Sequence, residues 1–347
     1  MPGSEIMTPI LVIGGAGYIG SHMVRMLSHE GFQPVVFDNL STGHRECVPR
    51  NTSFVKGDLC EAQDLEAIFK KVRFEAVMHF AASSLVGESV QNPMKYYENN
   101  VFGFLNLLKV MLKYNVKNFI FSSTAAIYGE PKRVPVREED PKEPVNPYGR
   151  SKLMIENILN DVSKTTPLSY AALRYFNACG AHPGSETGEA HVVETHLIPN
   201  VLKVASGEKE ALTVYGDDYA TPDGTCVRDY VYVQDLCRAH LLALKALKRG
   251  MQSDVFNLGA GKGTSVKEII NMAEKVTGKS IPVEMGRRRP GDPPILVASA
   301  EKARALLGWE PGTSLEDMVR TAWEWETQSQ HRGQSQLSTA AIACAPY

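Results

Sequence analysis

The chain is 347 residues long, 43% hydrophobic and 22% charged, with a formal net charge of -2. Its length exceeds what one core comfortably fills, so two domains or one large α/β unit are expected. The composition excludes a disordered chain and the near-balanced charge excludes a broad nucleic-acid binder, which leaves a small molecule as the expected partner.

In chain order, "PILVIGG" is a compact apolar strand, "SHMVRMLSHEG" a helix stopping at Gly31, and "PVVFD" a second apolar strand, together a strand–helix–strand unit. "SFVKGD", "AVMHFAA", "NFIFSS" and "SYAALRYF" read as further buried strands, and "EAQDLEAIFKK" and "NPMKYYENNVFGFLNLLKVMLKYN" as the helices between them. Continuous apolar strands alternating with helices predict a doubly wound, Rossmann-like parallel sheet covered on both faces. Beyond Asn177 the texture turns to Gly, Pro, Ser and charge in "ACGAHPGSETGEAHVVETHLIP", which predicts an excursion into a smaller C-terminal α/β unit. "VRDYVYVQDLCRAHLLALKAL" and "DVFNLGAG" read as a helix and a strand rejoining the first unit, while "IPVEMGRRRPGDPPILVAS" and the helix "SLEDMVRTAWEWE" belong to the second. The tail 328–347 is polar and lacks a periodic apolar face, so disorder is expected there, with Cys344 incidental.

The six cysteines, Cys47, Cys60, Cys179, Cys226, Cys237 and Cys344, form no CxxC and no metal-ligand spacing, so reduced thiols and no metal are expected. No apolar stretch approaches a membrane span, and "MPGSEIM" has neither the basic region nor the apolar core of a signal peptide. A cytoplasmic location with no membrane partner is the expectation.

Gly14, Gly17 and Gly20 in "GGAGYIG" follow the first strand and open a helix, the context in which backbone N–H groups approach a pyrophosphate at a helix N-terminus. Asp38 ends the next strand, eighteen residues after Gly20, where a carboxylate accepts from an adenosine ribose and disfavours a 2'-phosphate. NAD is therefore expected as the cofactor. Asp58, in "KGDL", has two readings, an acceptor for the adenine amino group or a helix cap. In "VNPYGRSK", Asn146 can cap a helix and Pro147 suits its first turn, which puts Tyr148 and Lys152 on one face. A nearby cation favours phenolate over phenol, so this pair is a candidate base; taken alone it reads more readily as a solvated surface pair.

The glycine loop, the YxxxK pair and the Ser/Thr-rich strand end together resemble the extended short-chain dehydrogenase/reductase family. Within it, "GGAGYIGSH", "HFAA" with "VGES", "YYENNV", "FIFSSTAAIYGE", "NPYGRSK", "LRYFNACGAHP", "DGTCVRDYV", "FNLGAG" and "RRPGD" resemble, in this order, the motifs of UDP-glucose 4-epimerases over residues 9 to 325. The resemblance implies a homodimer formed by the helices near residues 92–114 and 147–164, acting on UDP-glucose and UDP-galactose in galactose metabolism. It implies an NAD-binding Rossmann domain at 8–179 with a returning segment at about 226–262, and a substrate-binding domain at 180–225 and 263–327.

Carried over residue by residue, Tyr148 is the acid/base, Lys152 lowers its pKa and binds the nicotinamide ribose, and Thr124 is the third catalytic hydroxyl, beside Ser122 and Ser123. Cofactor contacts fall on the Gly14 loop with Tyr18 and Ile19, then on Asp38, Asn39, Asp58, Leu59, Phe80, Ala81, Ala82, Asn99 and Tyr175. The uridine diphosphate sugar falls to Asn177, His196, Leu197, Arg228, Arg289 and Asp292, with Leu296 lining the sugar pocket or simply packing in the core. Two departures stand out: Ala82, Ser83 and Ser84 occupy a place where some relatives have lysine, and His196 one where some have asparagine. The implied reaction is reversible epimerisation at sugar carbon 4 through a 4-keto intermediate, with transient hydride transfer to bound NAD. A related alternative, a 4,6-dehydratase, typically carries Asp-Glu after the catalytic threonine, whereas here Ala125 and Ala126 follow Thr124. Another nucleotide-sugar epimerase and a non-catalytic NAD-binding sensor are the remaining alternatives.

Overall fold

The protein is described by a computed structural model covering residues 8–328 except Val192 and Pro290. Nearly all of the tail expected to be disordered, Cys344 included, lies outside the described residues.

From the N-terminus, β1 (Thr8–Ile13), α1 (Tyr18–His29), β2 (Phe32–Asp38), β3 (Ser53–Lys56), α2 (Ala62–Lys71) and β4 (Ala76–His79) alternate. A broken helical run follows: α3 (Val86–Gln91), α4 (Pro93–Tyr96), a π-type turn (Tyr97–Phe102) and α5 (Gly103–Lys113). Then come β5 (Asn118–Thr124), α6 (Pro147–Ser163), β6 (Ser169–Tyr175), β7 (Asn177–Cys179), α7 (Leu197–Ala205), β8 (Leu212–Tyr215) and β9 (Val227–Tyr232). The chain continues through α8 (Val233–Lys248), β10 (Asp254–Leu258), β11 (Gly263–Ser265), α9 (Val266–Thr277), β12 (Val283–Gly286), β13 (Ile295–Leu296), α10 (Glu301–Leu307) and α11 (315–328).

Seven parallel strands form the main sheet in the order β10-β6-β5-β4-β1-β2-β3. In β1, Ile10 and Val12 enter one apolar cluster, with α1 and α8 residues, and Leu11 and Ile13 the other, with α2, α5 and α6 residues. Alternate side chains thus find a covered face on both sides, which is why the strand is apolar throughout and why the fold is doubly wound as expected. Because β1 pairs with β2 on one edge and β4 on the other, the winding reverses there, and a crevice opens at the strand C-termini.

The stretch beginning "VRDYVY" departs from the helix expected of it: β9 comes first, and α8 starts only at Val233. Strands β7, β11 and β13 supply its backbone partners, and its residues alternate between clusters, Val231 facing one and Tyr230 and Tyr232 the other. Tertiary pairing here overrides a local pattern that also suits a helix. "DVFNL" rejoins the main sheet beside β6 as expected, and β8 with β12 forms a separate two-stranded ribbon. Among the described residues no helix is long and apolar enough to cross a membrane.

Candidate active site

The sequence-predicted cofactor residues gather at the C-terminal ends of consecutive strands. Gly14, just past β1, has φ +76, and a Cβ there would stand 2.5 Å from the Ala81 backbone nitrogen. Only glycine lets this turn lie so close to the end of β4. Gly17 is the N-cap of α1, and a Cβ on Gly20 would strike the Gly14 carbonyl, so the helix packs tightly on the loop. The N-terminal N–H groups of α1 are held at the crevice, a cradle that suits a pyrophosphate. Tyr18 reaches elsewhere, donating from its hydroxyl to the Gly180 carbonyl at 2.5 Å, and Ile19 packs between two apolar clusters.

Asp38 ends β2, and its two carboxylate oxygens accept from Ala16 N at 2.9 Å and Leu40 N at 2.8 Å. Burial raises its pKa against those bonds. Asp58, past β3, accepts from Asn39 Nδ2 at 2.9 Å and Cys60 N at 2.8 Å; burial opposes the charge, but these bonds outweigh it and lower the pKa. The helix-cap reading of Asp58 is not met, because the N-cap residue of α2 is Glu61. Leu59 is buried beside Gly103. Phe80, Ala81 and Ala82 follow β4, with Phe80 N donating to Ile13 O at 2.8 Å and the Phe80 ring 4.9 Å from that of His240.

A residue missed in the sequence explains how the next loop is held. The π-type turn carries Asn99 and Asn100; buried Asn100 accepts from Ser83 N at 2.8 Å and donates to Ser83 O and Ser151 Oγ, each at 3.0 Å. It thereby ties the segment after β4 to α6. Asn99 donates to Asn100 Oδ1 at 2.9 Å.

Helix α6 starts as expected: Asn146 Oδ1 accepts from Gly149 N at 2.8 Å and Pro147 occupies the first turn. Gly149 permits a close approach, since a Cβ there would lie 2.6 Å from Ala126 O, and this presses Tyr148 towards the end of β5. Burial raises the Tyr148 pKa while a hydrogen bond with the Thr124 side chain opposes it. Lys152 is buried, its Nζ donating to Ser122 O at 2.8 Å and lying 6.0 Å from the Tyr148 ring centre. Burial lowers its pKa to about 7, and the Glu156 carboxylate holds it up. Tyr148, Lys152 and Thr124 therefore meet, but in this arrangement the ammonium is directed at a carbonyl rather than at the phenol.

Two further features bring in residues not singled out in the sequence, His240 and the pair Glu156 and Arg174. Tyr175, opposite Thr124 in the β5–β6 ladder, pairs its hydroxyl with His240 Nε2, and burial lowers the His240 pKa to about 4. Buried Glu156 accepts from Ser123 Oγ at 2.5 Å and from Arg174 at 3.0 and 2.6 Å. Arg174 also donates to Tyr128 Oη at 2.7 Å and Glu138 O at 3.0 Å, and Tyr128 donates to Asn257 Oδ1 at 2.6 Å. This network joins β5, α6, β6 and β10 directly beneath the catalytic candidates.

Across the crevice, Asn177 begins β7, and Arg228 in β9 stands opposite Leu296 in β13. Arg228 Nη1 donates to Pro293 O at 2.8 Å, and Nη2 is 3.6 Å from Asp292. Arg289 is exposed, its guanidinium stacked 3.9 Å over the Tyr215 ring. Leu296 is part-buried against an apolar cluster that includes Ala125, Ile127 and Tyr128, just after Thr124, together with Val136, Phe176 and Ala298. His196 is the N-cap of α7 and turns its ring towards Glu189 and Glu194; Leu197 is part-buried.

A family model described as GDP-mannose 4,6 dehydratase matches residues 11–322, placing the chain in the extended short-chain dehydrogenase/reductase family. A UDP-glucose 4-epimerase from Halalkalibacterium halodurans is 52% identical over 93% of this chain and 96% of its own. The chain belongs to the UDP-glucose 4-epimerase family. A crystal structure of a UDP-glucose 4-epimerase is 50% identical, covering 92% of this chain and 98% of that one with a TM-score of 0.91. The Brucella ovis UDP-glucose 4-epimerase in complex with NAD is 48% identical, covering 91% and 98%, with a TM-score of 0.89. Membership of the epimerases, despite the dehydratase label of the broader family, agrees with Ala125 and Ala126 after Thr124.

Proposed function

We propose that this enzyme interconverts UDP-glucose and UDP-galactose at sugar carbon 4 through a 4-keto intermediate, with NAD as its resident cofactor. One observation carries the reading: the Thr124 side chain stands near enough to Tyr148 to oppose the burial that raises its pKa, at the strand C-termini with the Gly14–Asp38 cradle and without carboxylates after Thr124. Bound NAD supplies a hydride acceptor that returns what it takes. Tyr148 removes the proton from the carbon-4 hydroxyl, and Thr124 donates a hydrogen bond to that oxygen. Lys152 would hold the cofactor ribose, and its positive charge favours the phenolate of Tyr148. Arg228 and Arg289 grip the diphosphate through charge-assisted forks, while the keto sugar, loosely held, turns its other face. Asn177, Asp292 and the His196–Leu197 backbone complete the anchor.

In this reading residues 8–179 with 226–262 hold the cofactor and 180–225 with 263–327 hold the nucleotide sugar. The placement of β10 beside β6 supports that division, although β9 hydrogen-bonds with β7, β11 and β13. A homodimer through the helices near residues 92–114 and 147–164 is supported by Met94, Phe102 and Met154, which stand 60%, 50% and 43% exposed there. A cytoplasmic location is supported by Cys60, Cys179, Cys226 and Cys237, which stand as thiols in the described residues.

Purified enzyme incubated with UDP-galactose and no added cofactor is expected to carry NAD and to form UDP-glucose. Full dependence on added NADPH, with net formation of a reduced product, would refute the reading. For Leu296, a Leu296→Tyr substitution is expected to depress activity on UDP-N-acetylglucosamine far more than on UDP-glucose, because a rigid ring clashes with the acetamido group. Equal effects on both sugars, or a wild type inactive on the acetylated one, would remove Leu296 as a gate.

A further inference from the structure

We propose that Glu189, His191, Glu194 and His196 form a zinc site that fastens the segment before α7 to that helix. One donor atom from each lies within 4.8 Å of the others. His191 Nδ1 is 3.3 Å from Glu189 Oε1 and 3.4 Å from Glu194 Oε2; His196 Nδ1 is 3.5 Å from Glu194 Oε1 and closer still to Glu189 Oε1. Zinc with bonds of about 2.0–2.1 Å to histidine nitrogen and carboxylate oxygen places tetrahedral donors about 3.3–3.4 Å apart. With Glu194 offering Oε2, both separations from His191 already match such an edge.

The surroundings are those of a ligand set. Glu194 Oε1 accepts from Thr195 N and His196 N, both at 2.7 Å, which fixes the carboxylate and leaves Oε2 facing His191. Such outer hydrogen bonds orient metal ligands. The Glu189 and Glu194 side chains are only 6% and 4% exposed, whereas that of His196 is 56% exposed, so two buried negative charges converge on a point with an open way in. A divalent cation with two neutral imidazoles balances both carboxylates. Four protein donors fill the tetrahedron, which makes the role structural. Trp325 Nε1 donates to Glu189 O at 2.8 Å and extends the tie to α11. No cysteine takes part, which is why cysteine spacing pointed to no metal.

The test uses the full chain with its NAD. After treatment with a chelator and dialysis, the wild type is expected to bind one zinc per chain in competition with a chromophoric chelator. Cobalt(II) in its place is expected to show tetrahedral d–d absorption without a thiolate charge-transfer band. His191→Ala, with NAD content and circular dichroism retained, is expected to weaken zinc by about 100-fold or more; Glu189→Gln serves if that variant fails to fold. No stoichiometric zinc in the wild type, as two protonated histidines paired with the carboxylates would give, overturns the proposal. So does an unchanged affinity in the folded variant, or a thiolate band.

Discussion

Tyr148→Phe is expected to lower epimerase turnover by at least about 100-fold, the usual scale of a positioned acid/base, while the protein stays folded and NAD-bound. Phenylalanine keeps the ring at the start of α6 while deleting the hydroxyl that the Thr124 side chain influences. The comparison of turnover with NAD content separates chemistry from binding. Near-normal epimerisation by a folded, NAD-bound variant would reduce Tyr148 and Lys152 to an incidental pair.

Glu156→Ala is expected to destabilise the protein by about 3–5 kcal/mol, because it leaves the Arg174 guanidinium buried without its bidentate partner. A fall of about 5–15 °C in melting temperature is the expected readout. Glu156→Gln keeps the shape and isolates the electrostatic effect. Burial depresses Lys152 to about 7 and Glu156 opposes that, so removing the negative charge moves the Lys152 pKa further down. The ammonium is then lost at lower pH, and the alkaline limb of kcat/KM shifts to lower pH. An unmoved limb in a folded Glu156→Gln enzyme would separate Lys152 from the pH profile.

Much of this was legible in the sequence because it rests on local rules. Leu11, Val12 and Ile13 are continuous apolar residues in a strand covered on both faces, and Gly14 follows where the chain must turn against a neighbour. Asn146 and Pro147 announced the start of α6 by capping chemistry alone. The rest depended on partners distant in sequence. Nothing near Glu156 marks it as buried; it is buried because Arg174, eighteen residues on in β6, comes to it through the sheet. "VRDYVY" became a strand because β7, β11 and β13 were there to receive its hydrogen bonds. The expected effect of Lys152 on Tyr148 was a chemical inference from spacing, and spacing fixes the shared face but not the direction in which a flexible ammonium points.

Transient oxidation at carbon 4 has one isotopic signature, measurable with UDP-galactose carrying deuterium at that carbon, turned over in ordinary water without added NAD. Return of the hydride within a single site predicts UDP-glucose that retains the label at carbon 4. Exchange of the label with water would contradict it, since that outcome requires carbon 4 to lose a proton rather than a hydride.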